Sequence, residues 1–317
     1  MNNPSAALTT TQLTKQFGES IAVNEVDLQV QRGEIYGLIG PNGAGKTTLI
    51  RMLAAADPPT QGTITIAGQT LKYEEANPDI KRQIGFLPDD FPLYDDLLVW
   101  EYLDYFGRLY YLEEPALSHR LQEVLALVSL ENKRDSPISS LSRGMKQRLS
   151  LARTIIHNPS LLLLDEPVSG LDPVARVQFR QTLKTLQKQG FTILISSHIL
   201  SDLEDFCTSI GIMQLGQLVE STELRALYNR DQHQQILIAT LGDLAPLEQF
   251  LHNHPLIPEW QAVPDKQHLA VRFSGTEAEM VEFLRSLITA DLPILDFHRS
   301  QESLEDIFIK MGYRQTS

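Results

Sequence analysis

Stretches of continuous apolar residues alternate with amphipathic stretches along the first two thirds of the chain. The runs Glu34–Ile39, Leu161–Leu164 and Phe191–Ile195 show no polar alternation, which is typical of strands covered on both faces. Between them, Trp100–Tyr111 and Ser118–Val128 have helical spacing and few helix breakers. Strands that alternate with helices predict an α/β domain with a mostly parallel sheet.

A different pattern begins after about Gly216. Short strands and helices are predicted in the order β-α-β-β-α-β, which is the ferredoxin-like arrangement. The predicted strands are Gln235–Leu241, Trp260–Val263, His268–Phe273 and Ile294–His298, and the predicted helices are Asp243–His252 and Thr276–Thr289. Ser303 and Asp306 form a capping box, which predicts one more helix at Ser303–Met311.

Two domains are predicted from this change of pattern. The chain has 317 residues, which exceeds one minimal domain because domains commonly hold roughly 100–200 residues. We assign residues 1–222 to an α/β domain with a helical insert at about 91–157, and residues 232–317 to a small α+β domain. The linker is expected near Glu220–Asp231.

Composition and charge narrow the functional classes. Hydrophobic residues make up 42% of the chain and charged residues 21%, which is ordinary for a globular protein and excludes wholesale disorder. The net charge of −13 disfavours a broad nucleic-acid interface. No apolar run approaches the ~20 residues that cross a bilayer, and the first residues lack a signal peptide's apolar core. A single cysteine, Cys207, fits the reducing cytoplasm.

A glycine-rich turn follows the first apolar run and precedes a predicted helix. It matches the phosphate-binding pattern G-x-x-x-x-G-K-[ST] through Gly40, Pro41, Asn42, Gly43, Ala44, Gly45, Lys46, Thr47 and Thr48. The glycines allow successive N–H groups to face one phosphate, and the helix N-terminus adds positive potential. Lys46 would then reach the β- and γ-phosphates of ATP, and Thr47 would offer its hydroxyl to Mg²⁺.

Polar side chains follow two further apolar runs. Asp165 and Glu166 come directly after Leu161–Leu164, and His198 follows the run that begins at Phe191. Ligand groups in open α/β sheets lie at the carboxyl ends of strands, so these three residues are candidates for one site. Asp165 would hold Mg²⁺, and Glu166 would polarise the water that attacks the γ-phosphate. The alternatives are an acidic capping turn and a structural histidine.

A capped, basic helix is predicted from Leu141 to about His157. Ser142 stands at the N-cap position, and Gly144 leaves the backbone bare for a close approach. The N-terminus of such a helix attracts anions, although a plain amphipathic helix fits the same pattern.

The ordered motifs resemble the ATP-binding subunit of an ATP-binding cassette (ABC) transporter. GPNGAGKTT is similar to the family's Walker A motif, LSRGMKQRL to its signature and LLLLDEP to Walker B. Val168–Asp172 is similar to the D-loop, and His198 to the switch histidine. The resemblance covers Leu8 to about Val219. It implies a P-loop NTPase fold with a RecA-like core and a helical subdomain, and hydrolysis of ATP with Mg²⁺.

The same resemblance implies a head-to-tail dimer of cassettes with two ATP molecules between the subunits. Ser142 and Gly144 of one subunit would complete the Walker A site of the other. Phe17 falls at the position of the aromatic residue that stacks on adenine, and a place in the core is its alternative role.

Two positions depart from the family's usual pattern. Asp89 stands where a glutamine of the Q-loop usually contacts Mg²⁺ and water, and we expect it either to bind the metal through a water molecule or to withdraw from it. Arg143 replaces the usual second glycine of the signature. We expect Arg143 to face solvent, with a position near the partner's phosphates as the alternative. The other motif residues are unchanged, so hydrolysis remains the expectation.

A narrower resemblance concerns Ser303–Met311, which is similar to the end of ATPases that serve exporters of drugs, antibiotics or surface polysaccharides. Those ATPases carry a small accessory domain, which either buttresses the dimer or senses a ligand. They pair with a separate polytopic permease, which implies a location at the cytoplasmic face of the membrane. The permease contact is expected at Phe91–Tyr111, where aromatic residues are dense and only a minority should be exposed.

Two other classes fit parts of the sequence. A soluble cassette ATPase acting on DNA would need a long coiled coil, and the chain has no sustained heptad pattern. One acting on the ribosome usually carries two cassettes, whereas this chain has one. Because Asp89 departs from the family's usual pattern, a nucleotide sensor that binds ATP but hydrolyses it slowly is a further alternative. The negative net charge of the chain disfavours a nucleic-acid partner, so we predict a transport motor.

Overall fold

Two compact units make up the chain, and the division falls between Leu224 and Arg225. The computed structural model describes residues 6–90, 92–228, 234–252, 254–263 and 267–300. Each unit contains its own sheet structure and its own cluster of buried apolar residues.

Strands and helices alternate along the first unit as the apolar pattern predicts. Its strands are β1 (Ala6–Phe17), β2 (Ser20–Val26), β3 (Gln29–Gln31), β4 (Ile35–Ile39), β5 (Gln61–Ile66), β6 (Gln69–Thr70), β7 (Ile84–Leu87), β8 (Leu161–Leu164), β9 (Thr192–Ser197), β10 (Ser209–Gln214) and β11 (Gln217–Glu223). Its helices are α1 (Lys46–Leu53), α2 (Pro78–Lys81), α3 (Val99–Leu109), α4 (Ala116–Leu127), α5 (Arg143–Ile155) and α6 (Pro173–Lys188), and α7 (Leu224–Tyr228) lies at the division.

A six-stranded sheet in the order β11-β10-β4-β9-β8-β7 forms the centre of the first unit. The strands from β10 to β7 pair in parallel, and β11 joins β10 in the antiparallel sense. Every residue of β4, β8 and β9 is buried, which explains the continuous apolar runs at the centre of these strands. The carboxyl ends of these three neighbouring strands therefore lie side by side at one edge of the sheet.

A second, antiparallel sheet of the first unit was not specified by the sequence analysis. It joins β2-β1-β5-β6, with β3 also paired to β1. Thr10 of β1 lies inside it, where its hydroxyl donates to the Val26 carbonyl and accepts from the Leu28 amide, both at 2.8 Å. This one side chain fastens the β2–β3 connection to β1, the strand that ends at Phe17.

Helices α3, α4 and α5 pack on one another and form the helical insert. Tyr102 and Leu103 of α3, and Leu117 and Leu121 of α4, supply its buried side chains. The apolar residues recur at helical spacing, which is why their period predicted these helices.

The second unit follows the order β-α-β-β-α-β that its sequence pattern predicts. Its elements are β12 (Gln234–Thr240), α8 (Ala245–Leu251), β13 (Glu259–Ala262), β14 (His268–Phe273), α9 (Glu277–Thr289) and β15 (Ile294–Ser300). The strands form an antiparallel sheet in the order β13-β14-β12-β15. Residues such as Ile238, Val271 and Phe283 build its core from the sheet and the helices. The helix expected at Ser303–Met311 lies outside the described residues.

The segment Glu220–Asp231, which was expected to be a linker, is folded as far as the structure describes it. Its first residues complete β11 on the edge of the six-stranded sheet, and α7 follows directly. Leu224 and Leu227 are buried, so this segment packs as an ordered element. The division between the units falls inside it, at the first residue of α7.

Thr10→Val tests how much the buried hydroxyl of β1 contributes. Valine has nearly the same shape but leaves the Val26 carbonyl and the Leu28 amide without this partner, so we expect the free energy of unfolding to fall by about 1–3 kcal/mol. Thr11→Val is the matched control, because Thr11 is exposed and its substitution should change stability by less than about 0.5 kcal/mol. Chemical denaturation measures both; equal effects would contradict the role given to Thr10.

Candidate nucleotide-binding site

The glycine-rich turn lies between β4 and α1, as its sequence predicts. A side chain on Gly40 would place Cβ 2.3 Å from the Met213 carbonyl oxygen, and one on Gly45 would place it 2.3 Å from the Ala22 carbonyl oxygen. Gly45 also has a φ of +101°, in the left-handed region. The tight packing of this loop against neighbouring backbone therefore requires glycine at both positions. Of the remaining loop residues, Asn42 and Gly43 are exposed and Ala44 is buried.

The Lys46 ammonium is held inside this turn. Its Nζ donates to the carbonyl oxygens of Gly40 at 2.7 Å and Pro41 at 3.2 Å, and lies 3.4 Å from Glu166 Oε1. Lys46 is only 5% exposed, and these oxygen partners offset the cost of burying its charge. Thr47, the next residue, is exposed at the start of α1, and Thr48 is half-buried. The ammonium therefore lies within the turn that the sequence predicts to bind phosphate.

Asp165 and Glu166 follow β8 and are tied to β9 by a residue that the sequence analysis missed. The Ser196 hydroxyl donates to Asp165 Oδ1 at 2.6 Å and accepts from the Glu166 amide at 2.9 Å. Asp165 is 1% exposed, so this hydrogen bond satisfies a buried carboxylate. Ser196 stands two residues before His198, near the end of the same strand. Because ligand groups gather at the carboxyl ends of strands, the argument that selected His198 could also have selected Ser196.

Glu166 connects the lysine to the histidine. Its Oε2 lies 2.7 Å from His198 Nδ1 while Oε1 faces Lys46. Glu166 has a φ of 47°, which is uncommon for a residue other than glycine and is often found at functional positions. The structure thus brings three of the predicted residues, Lys46, Glu166 and His198, into direct contact, and Ser196 adds Asp165 to the same network.

Asp89 follows β7 at the same sheet edge. Partial burial raises the pKa of the Asp89 carboxyl above its ordinary value, the nearby carboxylates of Asp165, Glu166 and Asp90 raise it further, and the Arg143 guanidinium opposes them. Asp89 and Glu166 line one cavity of about 310 Å³. Asp89 therefore lies close enough to Asp165 and Glu166 for their charges to act on its carboxyl.

The signature helix α5 begins as its sequence predicts. Ser142 is the N-cap, and its Oγ accepts from the Met145 amide at 3.3 Å. A Cβ on Gly144 would lie 2.8 Å from the Ala175 Cβ of α6, so the bare backbone allows two helices of the same chain to meet. Ser142 is exposed at the N-terminus of α5, and the contact described for its side chain is with Met145 of the same helix and not with Lys46.

The structure also bears on the expectations for two single residues. Arg143 is exposed, but it does not simply face solvent, because its Nη2 donates to the Ser169 carbonyl of the D-loop at 3.3 Å. Phe17 is 54% exposed at the end of β1, which removes the alternative that it belongs to the core. Lys15 Nζ lies 4.9 Å from the centre of its ring, as in a cation–π contact.

A phosphate-binding loop after a parallel strand, with carboxylates and a histidine at the ends of two neighbouring strands, defines a P-loop ATPase. A profile of the family described as ABC transporter matches residues 23–169. An uncharacterized ABC transporter ATP-binding protein of Bacillus subtilis is 34% identical over 304 residues, which cover 94% of each chain. The chain belongs to the ATP-binding subunits of ABC transporters, and it is therefore an ATPase of this family.

Two further relatives carry names that state a cargo. The bacitracin transport ATP-binding protein of Enterococcus faecalis is 34% identical over 305 residues, or 95% of each chain. The Nod factor export ATP-binding protein I of Ralstonia nicotianae is 31% identical over 304 residues, or 96% of this chain and 92% of its own.

Solved structures confirm the fold of the cassette. The ATP-binding subunit of an ABC transporter superimposes with a TM-score of 0.63 at 30% identity, covering 71% of this chain and 92% of its own. A dimeric ATP-binding cassette in a post-hydrolysis state, bound to ADP and phosphate, has a TM-score of 0.61 at 26% identity and covers 69% of this chain and 99% of its own. The predicted P-loop NTPase fold and the prediction of an adenine nucleotide ligand are confirmed.

Ser196→Ala tests the hydroxyl that joins Asp165 to Glu166. Alanine leaves a buried carboxylate and a backbone amide without this partner, so we expect the free energy of unfolding to fall by about 1–3 kcal/mol. ATPase turnover should fall as well, because Glu166 loses a contact that orients its backbone. The control is Ser139→Ala at an exposed position of the helical insert, which should change stability by less than about 0.5 kcal/mol. A Ser196→Ala protein as stable and as active as the parent would refute the role of Ser196.

Proposed function

We propose that Glu166 is the general base of ATP hydrolysis and that Lys46 and His198 act on the same phosphate. The observation that carries this proposal is the double contact of Glu166, with Oε1 at 3.4 Å from Lys46 Nζ and Oε2 at 2.7 Å from His198 Nδ1. A water molecule beside Glu166 would lose its proton to the carboxylate as it attacks the γ-phosphate. Lys46 would hold phosphate oxygens, and His198 would fix the orientation of the carboxylate.

ATP would be held by the backbone of the turn from Gly40 to Thr48, with its charge balanced by Lys46. Thr47 and Asp165 would hold Mg²⁺, and Asp89 would reach it through a water molecule. A hydroxyl and carboxylates are hard oxygen donors that suit Mg²⁺, which commonly completes its coordination with phosphates and waters. The metal would neutralise charge on the β- and γ-phosphates. In support, Thr47 is exposed and Asp165 is oriented by Ser196.

The complete site would form between two copies of the cassette arranged head to tail. Ser142 and Gly144 of each copy would contact the γ-phosphate bound by the other, because the N-terminus of α5 presents N–H groups and positive potential. The dimeric solved relative that holds ADP and phosphate supports this arrangement. The exposure of Phe17 favours stacking of its ring on adenine.

The direction of transport is proposed to be export, through a separate transmembrane permease. Two relatives with coverage above 90% are named for bacitracin transport and Nod factor export. None of the helices in the described ranges is both long and apolar enough to span a bilayer. By its resemblance to the subunits of such transporters, the chain would act as a peripheral subunit at the cytoplasmic face of the membrane, attached through the permease.

An aromatic cluster formed by Tyr94, which precedes α3, and by residues of α3 is the proposed permease contact. Tyr94 and Tyr105 are each 49% exposed, with their ring centres 6.4 Å apart. Tyr94 also packs edge-on at 6.0 Å against the buried Tyr102, whose hydroxyl accepts from Arg153 of α5 at 3.3 Å. Phe91, the first residue of the expected contact segment, lies outside the described residues. A partner that binds Tyr94 would thus be linked to the signature helix by direct contacts.

The second unit is proposed to be an accessory domain, separate from the cassette. We place the cassette at residues 1–222 and the accessory domain at residues 232–317. The support is that the second unit has its own four-stranded sheet and its own buried core. The full-length relatives match over most of this chain, which includes the region of the second unit.

Glu166→Gln tests the assignment of the general base. Glutamine keeps the shape of the side chain and removes its basicity, so turnover should fall by about 10²–10⁴-fold. ATP binding should persist, and the variant should accumulate as an ATP-bound dimer. Phosphate release and size-exclusion chromatography with light scattering measure the two effects.

The control for this experiment is Glu131→Gln, at an exposed glutamate of the helical insert, which should keep the parent's turnover. Equal turnover in Glu166→Gln and in the parent would refute the general-base assignment. A parent protein that binds ATP but scarcely hydrolyses it would instead favour the nucleotide sensor.

Tyr94→Ala tests the permease contact. Loss of an aromatic anchor commonly costs about 1–4 kcal/mol, so capture of a polytopic membrane protein should weaken at least about fivefold when Tyr94→Ala is added to Glu166→Gln. Mass spectrometry of complexes from detergent-solubilised membranes measures the capture. Leu97→Ala should act in the same direction, and both single variants should keep basal ATPase activity.

The matched control is Leu215→Ala, at an apolar residue that is 86% exposed between β10 and β11 and should not affect capture. Loss of basal ATPase in Tyr94→Ala would contradict a role confined to the permease. Capture of ribosomes or DNA in place of a membrane protein would contradict the transport function itself.

A further inference from the structure

The two residues that depart from the family's usual pattern line the same cavity. This cavity of about 310 Å³ lies beside Glu166 and is bordered by the segment after β7, by the first turns of α5 and by the D-loop. Its lining residues are Asp89, Asp90, Leu93, Asp95, Arg143, Lys146, Gln147, Glu166 and Ser169. Asp89 and Arg143 are 54 residues apart in the sequence, and the fold brings them to the same cavity.

Arg143 is docked on the D-loop of its own chain. Its Nη2 donates to the Ser169 carbonyl at 3.3 Å. A Cβ built on Gly170 would lie 2.4 to 2.7 Å from three atoms of the guanidinium, so the plane of this group rests directly against the glycine. Gly170 has a φ of +65° and leaves the space that the guanidinium occupies. The first turn of α5 is therefore attached to the turn that follows Glu166.

Carboxylates outnumber cations around the cavity. Four carboxylates line it, from Asp89, Asp90, Asp95 and Glu166, and its lining contains two cations. One of these, Lys146, is paired with Asp95 at 2.7 Å. Glu166 already faces Lys46 and His198, so of the two lining cations the Arg143 guanidinium is left to offset the charge of Asp89 and its repulsion of Glu166. Such repulsion is appreciable at the effective dielectric constant near a protein surface.

We propose that Arg143 is a positioning residue whose guanidinium, held against the D-loop, offsets the charge of Asp89, so that Asp89 and Arg143 act as one pair beside Glu166. The inference rests on the proposed role of Glu166 as general base. Without the arginine, Asp89 would repel Glu166 and would also repel the phosphates of an incoming ATP. Removing the charge of Asp89 would relieve both effects.

A double-mutant cycle of Arg143→Gln and Asp89→Asn tests the pair. We expect Arg143→Gln alone to raise KM for MgATP and to lower kcat/KM by about tenfold, and Asp89→Asn in the same chain to restore most of that loss, because residues that share a cavity are energetically coupled. Arg143→Lys keeps the charge and should stay within about threefold of the parent. The cycle is measured on hydrolysis by the full-length protein, and on the affinity of a fluorescent ATP analogue in a Glu166→Gln background.

The control cycle combines Lys146→Gln with Asp89→Asn, whose effects should multiply without coupling because Lys146 is already paired with Asp95. Thermal unfolding confirms that each variant is folded. If the effects of Arg143→Gln and Asp89→Asn are independent, in hydrolysis or in affinity, the proposal that the two residues act as a pair is wrong. If Arg143→Gln also abolishes ATP-dependent dimerisation, Arg143 acts instead at the partner's phosphates. A parent protein whose hydrolysis does not need Glu166 would refute the proposed function instead, and the affinity cycle would still decide on the pair.

Discussion

The contact of one carboxylate with both a lysine and a histidine is the interaction on which the rest of the site depends. Glu166 meets Lys46 at 3.4 Å and His198 at 2.7 Å. This geometry requires the ends of β4, β8 and β9 to lie side by side, which the parallel pairing of these strands provides. A buried ammonium without partners would be costly, and the loop satisfies Lys46 with its own carbonyl groups and with Glu166. In the proposed function, the phosphates of ATP would compete for the same ammonium.

The site concentrates negative charge where a negatively charged ligand must bind. Asp165 and Glu166 lie close enough to Asp89 to raise the pKa of its carboxyl. Binding of a polyphosphate at this edge would therefore depend on the few positive groups near it: the Lys46 ammonium, the N-terminus of α1 and the Arg143 guanidinium. Such a local balance would allow a chain with a net charge of −13 to hold ATP.

One helix connects the nucleotide site with the surface proposed for the permease. At its first turn, α5 contacts the D-loop through Arg143 and α6 through Gly144. In its last turn, Arg153 hydrogen-bonds Tyr102 and lies 5.3 Å from the ring centre of Phe106. Arg143 and Arg153 are ten residues apart on this helix, so the two contacts are separated by about 15 Å along its axis. One helix therefore joins the two contacts without an intervening loop.

Local residue patterns are sufficient to predict the buried strands, the phosphate-binding turn, the cap of α5 and the order of elements in the second unit. Each depends on periodicity, on glycine geometry or on neighbours a few residues away. Other features depend on contacts between distant segments. Ser196 reaches Asp165 across 31 residues, and Arg143 reaches Ser169 across 26. The exposure of Phe17 and the folding of the expected linker likewise depend on what packs nearby, and a local pattern carries no information about that packing.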